Sequence, residues 1–280
     1  MKYIEYEITG IPDEEAADIV VAELADWGFD TFSEYSYVTR NIKAYVPAEV
    51  EAENRTEIDL FLEESGYGYD REETADDTNW NALWESHFDP IEVGDRCYVR
   101  APFHDPRPEY EYEIVIMPKM SFGTGHHATT WLMLDAILNA NVEGKTGLDM
   151  GSGTGVLAIL AILKGAAHVD AIDIDNWAYR NCVENAQMNG VQEKMTVLEG
   201  DASLLNPAEK YDFILANINR NILLRDMRRY ADVLRKGGEI LFSGFLEVDI
   251  PMIRHQAEAL GLAFVESKLR DGWALVKCRK

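Results

Sequence analysis

Cysteine is scarce in this chain of 280 residues. The three present, Cys97, Cys182 and Cys278, are far apart and form no C-x-x-C pair. That excludes the disulfide framework of a small secreted domain and a thiolate zinc site, and leaves three reduced packing residues. No run of 18 apolar residues occurs, which excludes a hydrophobic spanning helix. The opening Met1–Glu7 lacks the apolar core of a secretory signal, so a soluble cytoplasmic protein without membrane attachment is expected. Positive charge is also in short supply, with 26 Lys and Arg against 50 Asp and Glu, a net charge of −24. The deficit is uneven: residues 1–100 carry 26 acidic and 7 basic side chains, a net −19. Such a chain repels phosphate backbones, which argues against free nucleic acid as substrate and favours a basic macromolecule. Solubility alone would explain the charge equally well. Internal repeats and low-complexity tracts are absent as well.

What is present is ordinary globular composition, 47% hydrophobic and 27% charged, in a length that suits one large or two ordinary domains. The most informative stretch is Gly147 to Gly155, GLDMGSGTG, which reads as the end of a buried strand running into a glycine-rich turn. The apolar run Val156–Leu163 follows, as expected of a helix packed on a sheet. Glycines at such a turn allow positive φ and close approach of a ligand to the main chain, and a helix N-terminus offers free N–H groups. A dinucleotide fingerprint is G-x-G-x-x-G, but here its third position holds Val156 and the pattern is Gly151-x-Gly153-x-Gly155. A second strand, His168 to Asp175, brings Asp173 to a position 22 residues past Gly151, where a βαβ unit places a carboxylate for ribose hydroxyls. The loop is therefore a nucleotide-type cofactor loop, with Gly151, Gly153 and Asp173 as binding residues.

This loop and its acidic strand end resemble those of class I S-adenosylmethionine-dependent methyltransferases. Two further stretches narrow the resemblance. Ser121–Thr130, SFGTGHHATT, is similar to the F-G-T-G-x-H-x-T-T motif of the bacterial ribosomal protein L-eleven methyltransferases, with Ala128 where that motif commonly has proline. Leu215-Ala216-Asn217-Ile218 is similar to that family's A-N-I segment after the fourth strand, although Asn219 stands where the family tends to leucine. Order and spacing agree over roughly residues 75–280. The resemblance implies S-adenosylmethionine as cofactor. It also implies a Rossmann-like, doubly wound, mostly parallel α/β sheet, and as acceptors lysine side-chain and N-terminal amines of a basic large-subunit ribosomal protein, free or before ribosome assembly. By the same resemblance Thr130 would contact the methionine end of the cofactor. Phe122 would face the sulfonium, and Asp201, after the strand Met195–Glu199, would approach the adenine amino group. Core packing for Phe122 and a plain turn carboxylate for Asp201 stay open as alternatives.

The rest of the chain frames these motifs. Lys2–Thr9, a helix from Pro12, a hairpin over Thr31–Thr39 and Ile42–Val46, and a helix over Glu49–Ser65 suggest a small ferredoxin-like α+β domain, residues 1–70, assigned to substrate presentation. Residues 71–88 read as a polar linker that includes a helix face of Trp80, Leu83, Trp84 and Phe88, and 89–280 as the catalytic domain, in a protein acting as a monomer. The adjacent His126 and His127 lack the i, i+3 or i+4 spacing of a helical metal pair, so no metal is assigned.

Methyl transfer from a sulfonium is an in-line displacement in which the protein mainly aligns the partners. An ammonium has no lone pair, so the acceptor amine must first lose its proton. A neutral oxygen would then aim it, and Asn217 is the candidate, both as catalytic residue and as part of the cofactor pocket. Its alternative is an N-cap for the next helix. A class I methyltransferase acting on a small-molecule amine is the principal rival. A nicotinamide dehydrogenase and a non-catalytic cofactor-binding protein are more distant ones.

Overall fold

The computed structural model describes residues 3–33, 35–36, 39–73, 89–117, 127–208 and 210–280. The expected helix face over 79–88 and the Phe122 site lie outside these residues. Contacts divide the chain into two compact units, Met1–His87 and Phe88–Lys280. Among the described residues no helix is long and apolar enough to cross a membrane.

The first unit runs β1 (Tyr3–Thr9), α1 (Glu14–Asp26), β2 (Thr31–Phe32), β3 (Asn41–Pro47), α2 (Ala48–Ser65) and β4 (Gly68–Glu73). Its antiparallel sheet has the order β2-β3-β1-β4. Alternation places Ile4, Tyr6 and Ile8 of β1 and Ile42, Ala44 and Val46 of β3 on one buried face, against Val20, Leu24, Ile58 and Leu62 of the helices. Asp13 caps α1, accepting from the Ala16 N–H at 2.9 Å.

The sequence places a linker from Arg71, but 71–73 complete β4, and Arg71 lies opposite Tyr6 in the β1 ladder. The reason is a buried polar group. Glu51 of α2 is almost fully buried and accepts from Arg71 Nε at 2.8 Å and from the Tyr6 hydroxyl at 3.0 Å. Burial alone would raise the Glu51 carboxyl, but these two donors hold it below the ordinary carboxylate range. A polar strand is thus kept in the sheet by an ion pair rather than by apolar burial. Of the expected first hairpin strand, the described residues show Thr31–Phe32 and a bridge between Ser36 and Asn41.

The second unit begins with a three-stranded sheet of β5 (Ile91–Val93), β6 (Cys97–Arg100) and β7 (Tyr112–Val115), in that order. There follow α3 (Ala128–Asn139), β8 (Thr146–Met150), α4 (Val156–Leu163), β9 (His168–Asp173), α5 (Asn176–Met188), β10 (Met195–Glu199) and β11 (Tyr211–Asn217). The chain ends with α6 (Arg220–Val233), β12 (Leu234–Leu246), α7 (Ile250–Ala259), β13 (Ala263–Arg270) and β14 (Trp273–Arg279). The seven-stranded sheet has the order β10-β9-β8-β11-β12-β14-β13, parallel except for the antiparallel β14.

One face of this sheet is covered by α3, α4 and α5 through Leu134, Ile159 and Cys182, and the other by α6 and α7 through Leu223, Met227 and Ile253. Two covered faces explain why the central strands are apolar without alternation and why Val156–Ile162 of α4 are all buried. Strand order reverses between β8 and β11, so the crevice for a ligand opens at the carboxyl ends of those two strands.

Candidate active site

The glycine loop is anchored to the end of β9. The Gly151 and Ser152 N–H groups donate to Ile172 O at 2.8 and 3.1 Å, and the Gly153 N–H donates to Asp173 Oδ2 at 2.8 Å. Asp173 Oδ1 accepts from the Asp175 N–H at 3.0 Å, and Asp175 in turn caps α5. Each Asp173 oxygen so spends one lone pair on the main chain and keeps another for a ligand. Beneath the loop, Asp149 is fully buried. Its Oδ2 accepts from the Ala158 N–H at 3.2 Å, at the first turn of α4, and its Oδ1 has no partner. Burial, with the Asp173 charge adding to it, pushes its carboxyl up to about 7.

The opposite wall is built around Ile218. Gly151 has φ of 68°, and a Cβ there would lie 2.1 Å from Ile218 Cγ2. Gly244, after the core of β12, has φ of 91°, and a Cβ there would meet the Ile218 carbonyl oxygen at 2.4 Å. Ile218 is therefore wedged between the Gly151 turn and the bulge at Gly244 inside β12, two positions that only glycine fits, which fixes its neighbour Asn217. The helix-cap role falls not to Asn217 but to Asn219, whose side chain accepts from the Ile222 N–H at 3.1 Å. This accounts for asparagine at 219. Asn217 Nδ2 donates to Thr130 Oγ1 at 3.4 Å, while its Oδ1 is buried without a partner.

A cavity of about 560 Å³ runs between these walls. At one end stand His127, Thr129, Asn217 and Trp273, in the middle Gly151, Gly153 and Asp173, and at the far end Asp201, Ala202 and the helix residues Ile222, Asp226 and Tyr230. His127 caps α3 through Thr129 and meets the Trp273 ring edge-on at 4.5 Å. Burial lowers the His127 imidazole pKa, which favours its neutral form. Thr130 is fully buried behind Thr129 and reaches the cavity's wall only through Asn217. Asp201 caps a short 3-10 turn, and hydrogen bonds from Ser203 hold its carboxyl below the ordinary range. Among the described residues no group of three His, Cys, Asp or Glu side chains could hold a metal ion.

Five of the expected residues, Gly151, Gly153, Asp173, Asp201 and Asn217, line this one cavity, with Thr130 one layer behind. Sequence reasoning missed Trp273, Ile218 as a wedge, and the α6 wall. The closing hairpin was legible, and Leu246 pairs with Trp273 in its ladder, but nothing local in the sequence connects that hairpin to the glycine loop. A further tie was also missed: the Asn185 side chain accepts from Met117 N–H at 2.9 Å and donates to Thr154 O at 2.9 Å, while Asn189 pairs both main-chain groups of Val115.

Comparison with known proteins gives the following. The family model described as ribosomal protein L11 methyltransferase (PrmA) matches residues 8–280. A ribosomal protein L11 methyltransferase of Porphyromonas gingivalis is 45% identical over 289 residues, covering 99% of this chain and 97% of that protein. One of Phocaeicola vulgatus is 44% identical over 282 residues, covering 99% of each. The crystal structure of the ribosomal protein L11 methylase of Lactobacillus delbrueckii subsp. bulgaricus superposes with a TM-score of 0.64 at 28% identity, over 69% of this chain and all of that one.

Proposed function

Since the chain belongs to the ribosomal protein L11 methyltransferase family, we propose how its cavity performs S-adenosylmethionine-dependent protein methylation, and on which amines. The observation that carries the proposal is the Asn217 amide oxygen, buried and without a hydrogen-bond partner in a residue that lines the cavity. A buried acceptor left unmatched costs about 1–3 kcal/mol, and an incoming amine N–H relieves that cost. The cavity fits the cofactor: it has room for a nucleoside with an amino-acid tail, Gly151 and Gly153 in its lining, and acids at Asp173 and Asp201 for a ligand of positive charge. The cofactor supplies a methyl group on a sulfonium, which leaves as a neutral thioether.

The chain's residues do the rest. Asp173 accepts the ribose hydroxyls with its spare lone pairs, Gly151 and Gly153 let the main chain approach, and Asp201 faces the base. Thr130, acting through its contact with Asn217, and Phe122 serve the methionine and sulfonium end. Asn217 accepts an N–H of the acceptor amine and so turns the nitrogen lone pair toward the methyl carbon. Trp273 and His127 wall this end from water, which disfavours the ammonium form of the acceptor.

The acceptors proposed are lysine ε-amines and the N-terminal amine of ribosomal protein L11, taken free or before ribosome assembly by a monomeric cytoplasmic enzyme. The first unit, read as a ferredoxin-like substrate-recognition domain that includes β4, recruits this basic protein with its excess of acidic side chains. Mass spectrometry of L11 after incubation with cofactor tests the proposal. Added methyl groups on free L11 are expected, fewer on assembled large subunits, and none after removal of 1–87, with S-adenosylhomocysteine binding retained. Full methylation by the truncated chain would overturn the recruitment role.

A further inference from the structure

The far end of the cavity holds a second unmatched polar atom. Ile222, Asp226 and Tyr230 stand at i, i+4 and i+8 of α6 and form one stripe facing the cavity. Asp226 is committed to the adjacent Arg225, whose Nε and Nη2 donate to its two oxygens at 2.9 and 2.7 Å. Arg229 Nη1 donates to Ala202 O at 3.0 Å, tying the turn after β10 to α6 and setting the width of the slot between them. At the inner end of that slot is Tyr230. It is fully buried, its ring packs in the sheet-facing core, and its hydroxyl has no hydrogen-bond partner. Burial, reinforced by the Asp226 charge, raises the phenol pKa far enough to keep it a neutral O–H. Tyr230 therefore keeps an unused donor and an unused acceptor in a residue that lines the cavity.

With ribose at Asp173 and the reacting end at Asn217, the purine of the cofactor extends toward Asp201, Ala202 and this slot. We propose that Tyr230 is a specificity-determining residue of the cofactor site, its hydroxyl donating to a ring nitrogen of the adenine while the Asp201 carboxylate accepts from the exocyclic amine. This rests on the reading of the cavity as the S-adenosylmethionine site. The division of labour follows from hydrogen-bond inventory: a carboxylate can only accept, and adenine offers one amino donor beside acceptor nitrogens, so a neutral O–H supplies the missing donor. Elsewhere along the stripe Asp226 is already paired and Ile222 is apolar, so Tyr230 is the group of this wall able to donate.

Tyr230→Phe removes one oxygen and little else. Because the hydroxyl is unmatched without ligand, the ligand-free variant should melt at the same temperature as wild type or higher. Its affinity for S-adenosylhomocysteine should nevertheless fall about tenfold by calorimetry, as expected for one lost hydrogen bond. 5′-Methylthioadenosine, which lacks the amino-acid tail, should lose the same factor, since the contact is to the base. On the wild-type protein, one of the 1-deaza, 3-deaza and 7-deaza forms of 5′-methylthioadenosine should bind about tenfold more weakly, and that penalty should vanish in Tyr230→Phe. Variant affinity within twofold of wild type, or three deaza ligands that all bind like the parent, would overturn the proposal. If wild-type protein bound neither adenosine thioether, the reading of the cavity itself would fail instead.

Discussion

Replacing Asp149 by asparagine should destabilise the protein at acid pH and stabilise it at alkaline pH. Asp149 is fully buried, and burial raises its carboxyl from 3.8 to about 7. A carboxyl that holds its proton more tightly when folded destabilises the fold wherever the unfolded chain has already released that proton. The penalty is absent below about pH 4, grows as pH rises from 4 to 7, and is complete above 7. About three pKa units at about 1.4 kcal/mol each give a full penalty of about 4 kcal/mol. Asparagine keeps an acceptor for the Ala158 N–H but buries a new N–H₂, costing about 1–3 kcal/mol at any pH. Asp149→Asn should therefore be the less stable protein near pH 4 and the more stable one near pH 8, by about 1–3 kcal/mol in each case. Urea unfolding of both proteins from pH 4 to 8.5 measures this difference, and groups remote from residue 149 cancel in the comparison. A difference that stays constant over that range would refute an elevated Asp149 pKa.

Other outcomes follow from the same geometry. Asp173→Ala should weaken S-adenosylhomocysteine binding at least tenfold by calorimetry, because it removes both the proposed ribose acceptor and the anchor of Gly153. Gly244→Ala, forced against the Ile218 carbonyl at positive φ, should lower methyl transfer by about 10²-fold through displacement of Asn217, and a rate unchanged in a radiolabel assay would contradict the wedge. Arg71→Ala should destabilise the first unit by up to about 3 kcal/mol in denaturant melts, because the buried Glu51 then keeps only the Tyr6 hydroxyl and the more distant Arg55, at 3.8 Å. The three cysteines, all buried with thiols pushed up to about 12, should resist iodoacetamide at pH 8 in the folded protein and react once it is unfolded.

The parts of the molecule readable from sequence are those whose cause is local. The glycine spacing, the uniformly apolar α4 and the acid ending β9 each follow from a few adjacent residues, and together they locate the switch-point crevice. Asn217 was legible as a strand-end residue, but its two possible roles could be separated only once Asn219 was seen to cap α6. The elements left unread have causes distant in sequence. β4 carries Tyr69 and Arg71 rather than aliphatic residues, so only the buried Glu51 shows why it is a strand. α6 was obscured because its buried face, Leu223, Met227 and Tyr230, is interrupted by the buried Asp226 and set among the four arginines of Arg220–Val233. Trp273 joins the site only through the antiparallel pairing of β14 with β12, a long-range contact that no local pattern announces.

The central claim is that the unmatched oxygen of Asn217 receives the acceptor amine. Single-turnover methylation of L11 by Asn217→Ala, measured alongside its affinity for S-adenosylhomocysteine, tests this most directly. Transfer should slow by about 10²-fold or more while affinity stays within about threefold of wild type. Transfer at the wild-type rate would contradict the account.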